Sequence, residues 1–420
     1  GSTGQSKGVM NPHLGLVNAY RAWRDAYQLD SLRAHLQMAN FSFDVFSGDL
    51  VRALCSGARL VICPRDLLLA PDHLYALLVQ EGIDCAEFVP AVLRLLMQNL
   101  QETGRCLGGM RMLVCGSDSW YVGEYVRFLD YCGPDTRLIN SFGLTEAAID
   151  SSYYGPSRQG RLAALDLAAD AQVPIGRPFA NMQLYILDAH MQPVPVGIPG
   201  ELYVGGLGVA RGYHRRPAQT AERFVPNPWL PLGRPLSAGR IDGGTRLYKT
   251  GDLARFLPDG DIEFLGRLDH QVKIRGYRIE PGEIEAALNR HPLVRQAAVC
   301  AVEVDGTVGG GADTRLAAYV VPGPESRPTM GELRRFLQQR LPDYMVPSAF
   351  TILDVLPLTS SGKIDRRSLP SPDWSQRKLE GEFIAPRSPV EEVLAGLWSQ
   401  VLGVARVGVH ANFFDLGGHS

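Results

Sequence analysis

Between Arg59 and Asn140 short apolar runs alternate with helix-period patterns, and this alternation limits the possible folds more than any other feature. Leu60-Val61-Ile62, Cys85 to Val89, Met112 to Cys115 and Leu138-Ile139 read as strands. Leu74 to Val79, Val92 to Leu100 and Tyr121 to Leu129 repeat at helical spacing between them. Each crossover helix returns the chain to the same end of the sheet, so strands joined in this way run side by side in one direction. An α/β core around a largely parallel sheet is expected.

After Gln172 the texture changes. Leu184 to Leu187, Glu201 to Val204 and Arg246 to Tyr248 are separated by Pro/Gly-rich turns and read as a β-rich subdomain. Pro258-Asp259-Gly260 predicts a hairpin joining Leu253–Phe256 to Ile262–Leu265, and Pro226 to Thr245 reads as a surface loop. Beyond Asp269, helices at Glu283 to Asn289 and Leu333 to Leu341 mix with strands at Val294 to Val302, Leu316 to Val321 and Phe350 to Leu353. That mixture is a small α+β domain, with Asp305 to Asp313 as a glycine-rich hairpin tip. A polar linker, Ser371 to Pro386, leads to Ser388, Pro389 and Glu391, which form a helix-start signature. Val390, Val393, Leu394, Leu397, Trp398, Val401 and Leu402 then continue at helical spacing, as the first helix of a further domain.

Charge and cysteine content narrow the function classes. Across 420 residues the formal net charge is −2, which argues against wholesale nucleic-acid or membrane-surface binding. No apolar run is long enough to span a bilayer. The seven cysteines form no C-x-x-C pair and are odd in number, so free, buried thiols in a reducing, cytoplasmic setting are expected. The first residues already belong to a glycine-rich loop, without an initiating methionine or preceding strand, and the chain reads as truncated at its start.

That loop, Gly1-Ser2-Thr3-Gly4-Gln5-Ser6-Lys7-Gly8, offers backbone N–H groups, hydroxyls and a cation at close spacing, as a polyphosphate requires. It lacks the Gly-Lys-Ser/Thr ending of a Walker loop. Further along stand Asn140-Ser141-Phe142-Gly143-Leu144-Thr145-Glu146, Tyr248-Lys249-Thr250-Gly251-Asp252 and the run from Gly266 to Gly276. Pro357 to Asp365 and Asp415-Leu416-Gly417-Gly418-His419-Ser420 complete the series. Taken singly, Asp252 reads equally as a turn residue, Glu146 as a helix cap and Lys363 as a solvated charge.

In this order and spacing the motifs resemble the adenylation domains of nonribosomal peptide synthetases, of the adenylate-forming superfamily, joined to the start of a peptidyl carrier domain. The resemblance covers essentially the whole chain. It implies a large N-terminal α/β core with parallel sheets and a β-rich subdomain over 1–268. A small mobile C-terminal α+β domain over 269–371, a linker over 372–386 and part of a carrier helix bundle over 387–420 would follow. Ser2, Thr3 and Lys7 would hold the β- and γ-phosphates of ATP, Phe142 would stack on adenine, and Thr145 would join the nucleotide site. Glu146 would ligate Mg²⁺, a hard cation suited to carboxylate oxygen. Asp252 would accept from the ribose hydroxyls beside Arg267. Lys363 would be the catalytic cation, offsetting charge as the substrate carboxylate attacks phosphorus. Asp269 would be the hinge about which the small domain turns. Ser420 would take 4′-phosphopantetheine from a phosphopantetheinyl transferase, and the carrier domain in cis and flanking modules with a condensation domain would be partners. One departure is Ser6, where the family usually has proline; no phosphate ligand is lost. Residues 1–420 alone are expected to show little or no activity.

The same resemblance lines the substrate pocket with Asp44, Val45, Gly48, Glu87, Leu113, Cys115, Ser141, Ile149, Asp150 and Lys363. Asp44 would bind the α-ammonium of an amino acid, which fatty and aryl acids lack. Glu87 and Asp150 stand among small or apolar neighbours. Two carboxylates ~4 Å apart repel by about 4 kcal/mol at an effective dielectric near 20. Either one is protonated, or they lie apart, or the substrate brings a positive charge; Glu87 could also pair with an arginine such as Arg94. A cationic side chain of the ornithine type, with room left by Gly48, is the simplest solution. Lysine, arginine and a neutral side chain stay open, as do an acyl- or aryl-CoA ligase and a non-catalytic scaffold member.

Overall fold

The computed structural model describes residues 7–116, 118, 120–155, 168–229, 245–268, 272–274, 277–304, 313–323, 327–357, 364–372, 384–402 and 406–409. The chain divides into two compact units, Lys7–Asp269 and a second one containing His270–Ser420.

In the larger unit a seven-stranded sheet runs in the order β2-β1-β3-β4-β5-β6-β7. Its strands are β1 (Ala34–Gln37), β2 (Arg59–Ile62), β3 (Cys85–Phe88), β4 (Met112–Gly116), β5 (Arg137–Leu144), β6 (Ile149–Tyr154) and β7 (Arg177–Pro178). Pairings from β2 through β5 are parallel, and β6 and β7 join antiparallel. The parallel sheet is thus the one expected from the Arg59–Asn140 alternation. Helices α3 (Pro71–Gln80), α4 (Pro90–Thr103) and α5 (Val122–Leu129) supply the crossovers. Pro90 opens α4 where its missing N–H costs nothing, and Gly104, at φ 66°, closes it in the left-handed conformation.

The two faces of this sheet bury different sets of side chains. Leu74, Leu96, Tyr125 and Phe128 of α3–α5 pack with Leu36, Ala86, Phe88, Leu113 and Cys115 on one face. On the other, Cys85, Met112, Val114 and Ile139 pack with Trp23 and Ala22 of α1 (His13–Tyr27). The same cluster takes in Ile186, Leu202, Tyr248 and Ile262 from a second sheet. That sheet runs β10-β11-β9-β8, with β12 paired to β11, over β8 (Met182–Leu187), β9 (Gly200–Gly206), β10 (Phe224–Pro226), β11 (Arg246–Phe256) and β12 (Ile262–Arg267). Phe256 pairs with Ile262 across Gly260, at φ 89°, as the Pro-Asp-Gly turn requires. A short helix, α6 (Pro217–Arg223), precedes β10.

The second unit is α+β. β13 (Val272–Ile274) and β14 (Tyr277–Ile279) form a ribbon, and β15 (Val294–Val304), β16 (Asp313–Pro322) and β17 (Ala349–Ile352) a three-stranded sheet. Ile284 and Leu288 of α7 (Pro281–Leu288) and Leu333 and Leu337 of α8 (Met330–Gln338) bury against Val299, Ala318 and Val320. Thr329 and Glu332 form a capping box at the start of α8. The capped helix read near the end is α9 (Pro389–Leu402); the Ser388 hydroxyl accepts from the Glu391 amide at 3.3 Å, and the Glu391 carboxylate accepts from the Ser388 amide at 3.2 Å. Its Val390, Val393, Leu394 and Leu397 are half or more exposed.

Most of the expected loop at Pro226 to Thr245 and most of the tip at Asp305 to Asp313 lie outside the described residues. All seven cysteines are free; Cys63, Cys85 and Cys115 are buried, Cys132 and Cys300 half-buried, and Cys55 and Cys106 exposed, so the burial expected for most of them holds fully for three. Among the described residues no helix is long and apolar enough to cross a membrane.

Candidate active site

Asp252 sits where β11 breaks its register with β9 between Lys249 and Leu253, beside Gly251 at φ 78°. This irregularity frees the segment from regular pairing, and the Thr250 hydroxyl accepts from the Asp252 amide at 2.9 Å. Arg267, opposite Asp252 on β12, donates to its Oδ1 and, at 3.0 Å, to the Thr250 carbonyl. The other carboxylate oxygen, Oδ2, is buried with no hydrogen-bond partner among the described residues. A buried acceptor left unfilled is costly, on the order of 1–3 kcal/mol. Hydroxyl donors of a bound ribose would fill it.

Glu146 lies in the single helical turn Thr145–Ala147 after β5 and is 4 % exposed. Its Oε1 accepts from the Tyr213 hydroxyl at 2.7 Å. The Tyr213 and Tyr248 hydroxyls are 3.4 Å apart, and the Lys7 ammonium stands 5.1 Å from the Tyr213 ring centre. Burial, then the neighbouring Tyr248 and Glu146, push the Tyr213 phenol far above its ordinary value, so it stays a neutral donor. Lys7 and Glu146, distant in sequence, therefore meet on one tyrosine. The Thr145 carbonyl accepts from Asn11 at 2.7 Å, and Phe142 packs into the core with 7 % of its surface left open. Ser2, Thr3, Asp269, Lys363 and Ser420 lie outside the described residues.

The pocket residues are brought together by a strained corner and one helix. Ala148 and Ile149, at φ 56° and 77°, turn the chain from β5 into β6. Positive φ is a genuine outlier for a β-branched residue and costs roughly 1–3 kcal/mol. Gly143 makes the corner possible, because a Cβ there would lie 1.6 Å from the Ile149 carbonyl oxygen. Beyond it, Asp150 is buried and accepts from the Trp23 indole at 2.9 Å.

The helix is α2 (Asp44–Cys55). Asp44 is its first residue, and the N-cap position falls to Phe43. The Asp44 carboxylate takes no hydrogen bond or ion pair from the described residues, and its charge helps raise the pKa of Asp150. Four and eight residues on, Gly48 and Arg52 share its face. Arg52 was not anticipated. Its guanidinium, buried and 4.7 Å from the centre of the Trp23 ring, pairs with Asp49 at 2.8 Å, with Asp150 at 3.4 Å and with Glu87. Burial alone would lower its pKa, but Glu87, Asp49 and Asp150 outweigh this and hold it firmly charged. Burial, and then Glu87, raise Asp150; burial also raises Asp49 against the pull of Arg52.

Glu87 and Asp150 thus already share a cation from within the chain: Glu87 does pair with an arginine, as one alternative had it, but with Arg52. Arg94 is not that partner; it holds Glu124 at 2.5 Å. The space over Gly48 is also bounded, by Ile149, Trp23 and Arg52 at 3.5–3.6 Å from a Cβ built there. Val45 packs against the α1-side core, and Ser141 is buried on β5 opposite Gly116. Leu113 and Cys115 are not brought to this group. They belong to the helix-side cluster with Ala86 and Phe88, while Val114, opposite Glu87, faces the other way. Strand neighbours alternate between faces, so a choice of residues one position out changes sides. Below Arg52 lies a small cavity also lined by Tyr27, His35, Asp49, Cys85 and Glu87. The Tyr27 hydroxyl and His35 Nε2 are buried there without partners among the described residues. The signal that could have exposed Arg52 was its i+4 spacing from Gly48. Among the described residues no group of three or more His, Cys, Asp or Glu side chains is arranged to hold a metal.

The sequence and the fold have counterparts in known proteins. Gramicidin S synthase 2 of Brevibacillus brevis is 45% identical over 421 residues, covering 100% of this chain and 9% of that protein. The chain therefore spans less than a tenth of that relative. Holo-PA1221, an NRPS protein containing adenylation and PCP domains, matches with TM-score 0.72 and 27% identity, over 100% of this chain and 64% of that one. Holo-AB3403, a four-domain nonribosomal peptide synthetase bound to AMP and glycine, matches at 32% identity and TM-score 0.52, over 98% of this chain and 28% of that one. The family model for the AMP-binding enzyme matches residues 1–214, and that for the AMP-binding enzyme C-terminal domain residues 283–363. With half of its length matched by the first model alone, the chain belongs to the AMP-binding enzyme family.

Proposed function

We propose that this chain activates an amino acid with ATP, forming an aminoacyl-adenylate and pyrophosphate, and serves a carrier domain to which the aminoacyl group passes. The observation that carries the reading is Asp44, a carboxylate at the head of α2 with no cation from the described residues beside a buried pocket. An α-ammonium would complete it, whereas a fatty or aryl acid would leave it unpaired. The AMP- and glycine-bound synthetase among the similar structures supports the same reading.

In the reaction, a carboxylate oxygen of the amino acid bonds to the α-phosphorus of ATP as the bond to pyrophosphate breaks. Asp252 accepts from the ribose through Oδ2, with Arg267 fixing its other oxygen. Ser2, Thr3 and Lys7 hold the outer phosphates, Phe142 and Thr145 border the base, and Lys363 offsets charge at the reacting oxygens. Glu146, a buried carboxylate, fits a hard divalent cation, and Mg²⁺ held there supplies positive charge to the phosphates. Asp269 is the hinge. Ser420 receives the 4′-phosphopantetheine arm from a transferase, and a condensation domain uses the loaded thiol.

The side chain accepted is basic and ornithine-like. Asp49, Glu87 and Asp150 surround Arg52, and a second cation among them would favour the ionised forms of Asp49 and Asp150, which burial raises. Amino-acid-dependent ATP–pyrophosphate exchange by the protein carrying this chain, with basic, neutral and acidic amino acids, tests both levels. Exchange with a basic amino acid is expected, and Glu87→Gln should weaken it far more than exchange with neutral ones. No exchange with any amino acid would defeat the reading, and equal losses would defeat the charge-pairing part.

A further inference from the structure

Glu87 and Asp150 each give one oxygen to Arg52: Oε2 of Glu87 to Nη2, and Oδ2 of Asp150 to Nη1. Asp150 Oδ2 also takes the Trp23 N–H. The second oxygen of each carboxylate, Oε1 and Oδ1, receives no hydrogen bond from the described residues. The guanidinium cannot retreat easily, since it lies over Trp23 and holds Asp49 from the preceding turn of its own helix. Arg52 therefore bridges the two acids through one oxygen of each.

We propose that Arg52 is a specificity-determining residue, a resident guanidinium that leaves Glu87 and Asp150 able to take one compact ammonium and no second guanidinium. The proposal rests on the amino-acid-adenylation reading. A guanidinium pairs most strongly with both oxygens of one carboxylate in its plane, and Arg52, by taking one oxygen from each acid, leaves neither a free pair. An ammonium is a compact point charge with three rotatable donors, so it can use the remaining single oxygens. Three carboxylates, those of Asp49, Glu87 and Asp150, face the one guanidinium of Arg52, and burial raises Asp49 and Asp150 toward their neutral forms. A bound ammonium would favour their ionised forms, which a neutral side chain would not.

The test is exchange with ornithine, lysine, arginine and leucine by the protein carrying this chain, in the wild type and in Arg52→Met and Arg52→Lys. In the wild type, exchange with arginine should run about 100-fold below that with ornithine. Arg52→Met vacates the fork, so the ornithine-to-arginine preference should fall by about tenfold or more. Added guanidinium ion should restore it in that variant alone. Arg52→Lys keeps a cation without the fork and should give an intermediate preference, which a merely structural arginine would not produce. Wild-type exchange with arginine equal to that with ornithine would overturn the proposal, and needs no variant to fold. So would an unchanged order of preference in a folded Arg52→Met, with thermal unfolding as the check on folding. A wild type that prefers leucine would overturn it while leaving amino-acid adenylation standing; no exchange with any amino acid would remove the reading beneath it.

Discussion

At the scale of single residues, the carboxylates of Asp252, Glu87 and Asp150 are each held by an arginine, the first alone and the other two jointly. Asp252 has one oxygen held by Arg267 and the other without a donor among the described residues, so its environment is half complete. Asp252→Asn keeps the shape but replaces one acceptor oxygen by an NH₂ group and removes the charge. Hydrogen bonds to charged groups are worth about 1.5–3 kcal/mol, so kcat/KM for ATP should fall by about 10–100-fold. Exchange at varied ATP concentration measures it, and the loss should appear mainly in KM. Glu87 and Asp150, by contrast, share a single cation, Arg52, each through one oxygen. The two acids were legible in the sequence; the arginine between them was not. An arginine within a helix reads as a solvated residue, and burial of its charge becomes intelligible only when acids from β3 and β6 close over it.

At the scale of elements, the crossover units from Arg59 onward were legible because their strands are largely apolar runs, as is usual for buried parallel strands, with Glu87 the exception inside β3. β5 was read as two residues but runs eight, since its second half passes through polar and glycine positions. The helices α1 and α2 went unread. α1 buries Asn18 beside its alanines, and α2 is interrupted by Gly48 and carries a buried Arg52, so neither shows a clean apolar stripe. The corner between β5 and β6 was equally hidden, because its strain lies in backbone angles. It carries a prediction of its own. In Gly143→Ala the new methyl meets the Ile149 carbonyl, backbone must shift, and Asp150 moves with it. A loss of about 2–4 kcal/mol in stability is expected by denaturant unfolding. Amino-acid-dependent exchange should fall further than this loss of folded protein explains.

At the scale of the whole molecule, each of the two units has a core of its own. Leu337 is fully buried in the smaller one, between α8 and the sheet. Leu337→Ala should destabilise that unit by about 2–5 kcal/mol. Hydrogen exchange should report this as faster amides in β15 and β16, with the β3 and β4 amides of the larger unit unchanged. The bond from Trp23 to Asp150 has a different consequence, one of timing. Its partners are 127 residues apart in the chain. On a ribosome adding about 5–20 residues per second, α1 waits about 6–25 s for the strand that completes its buried face. The β15–β16 pairing, between neighbouring strands, faces almost no such delay. The acidic pocket is therefore among the late-closing parts of a nascent chain, and Trp23 must be kept from other partners until it closes.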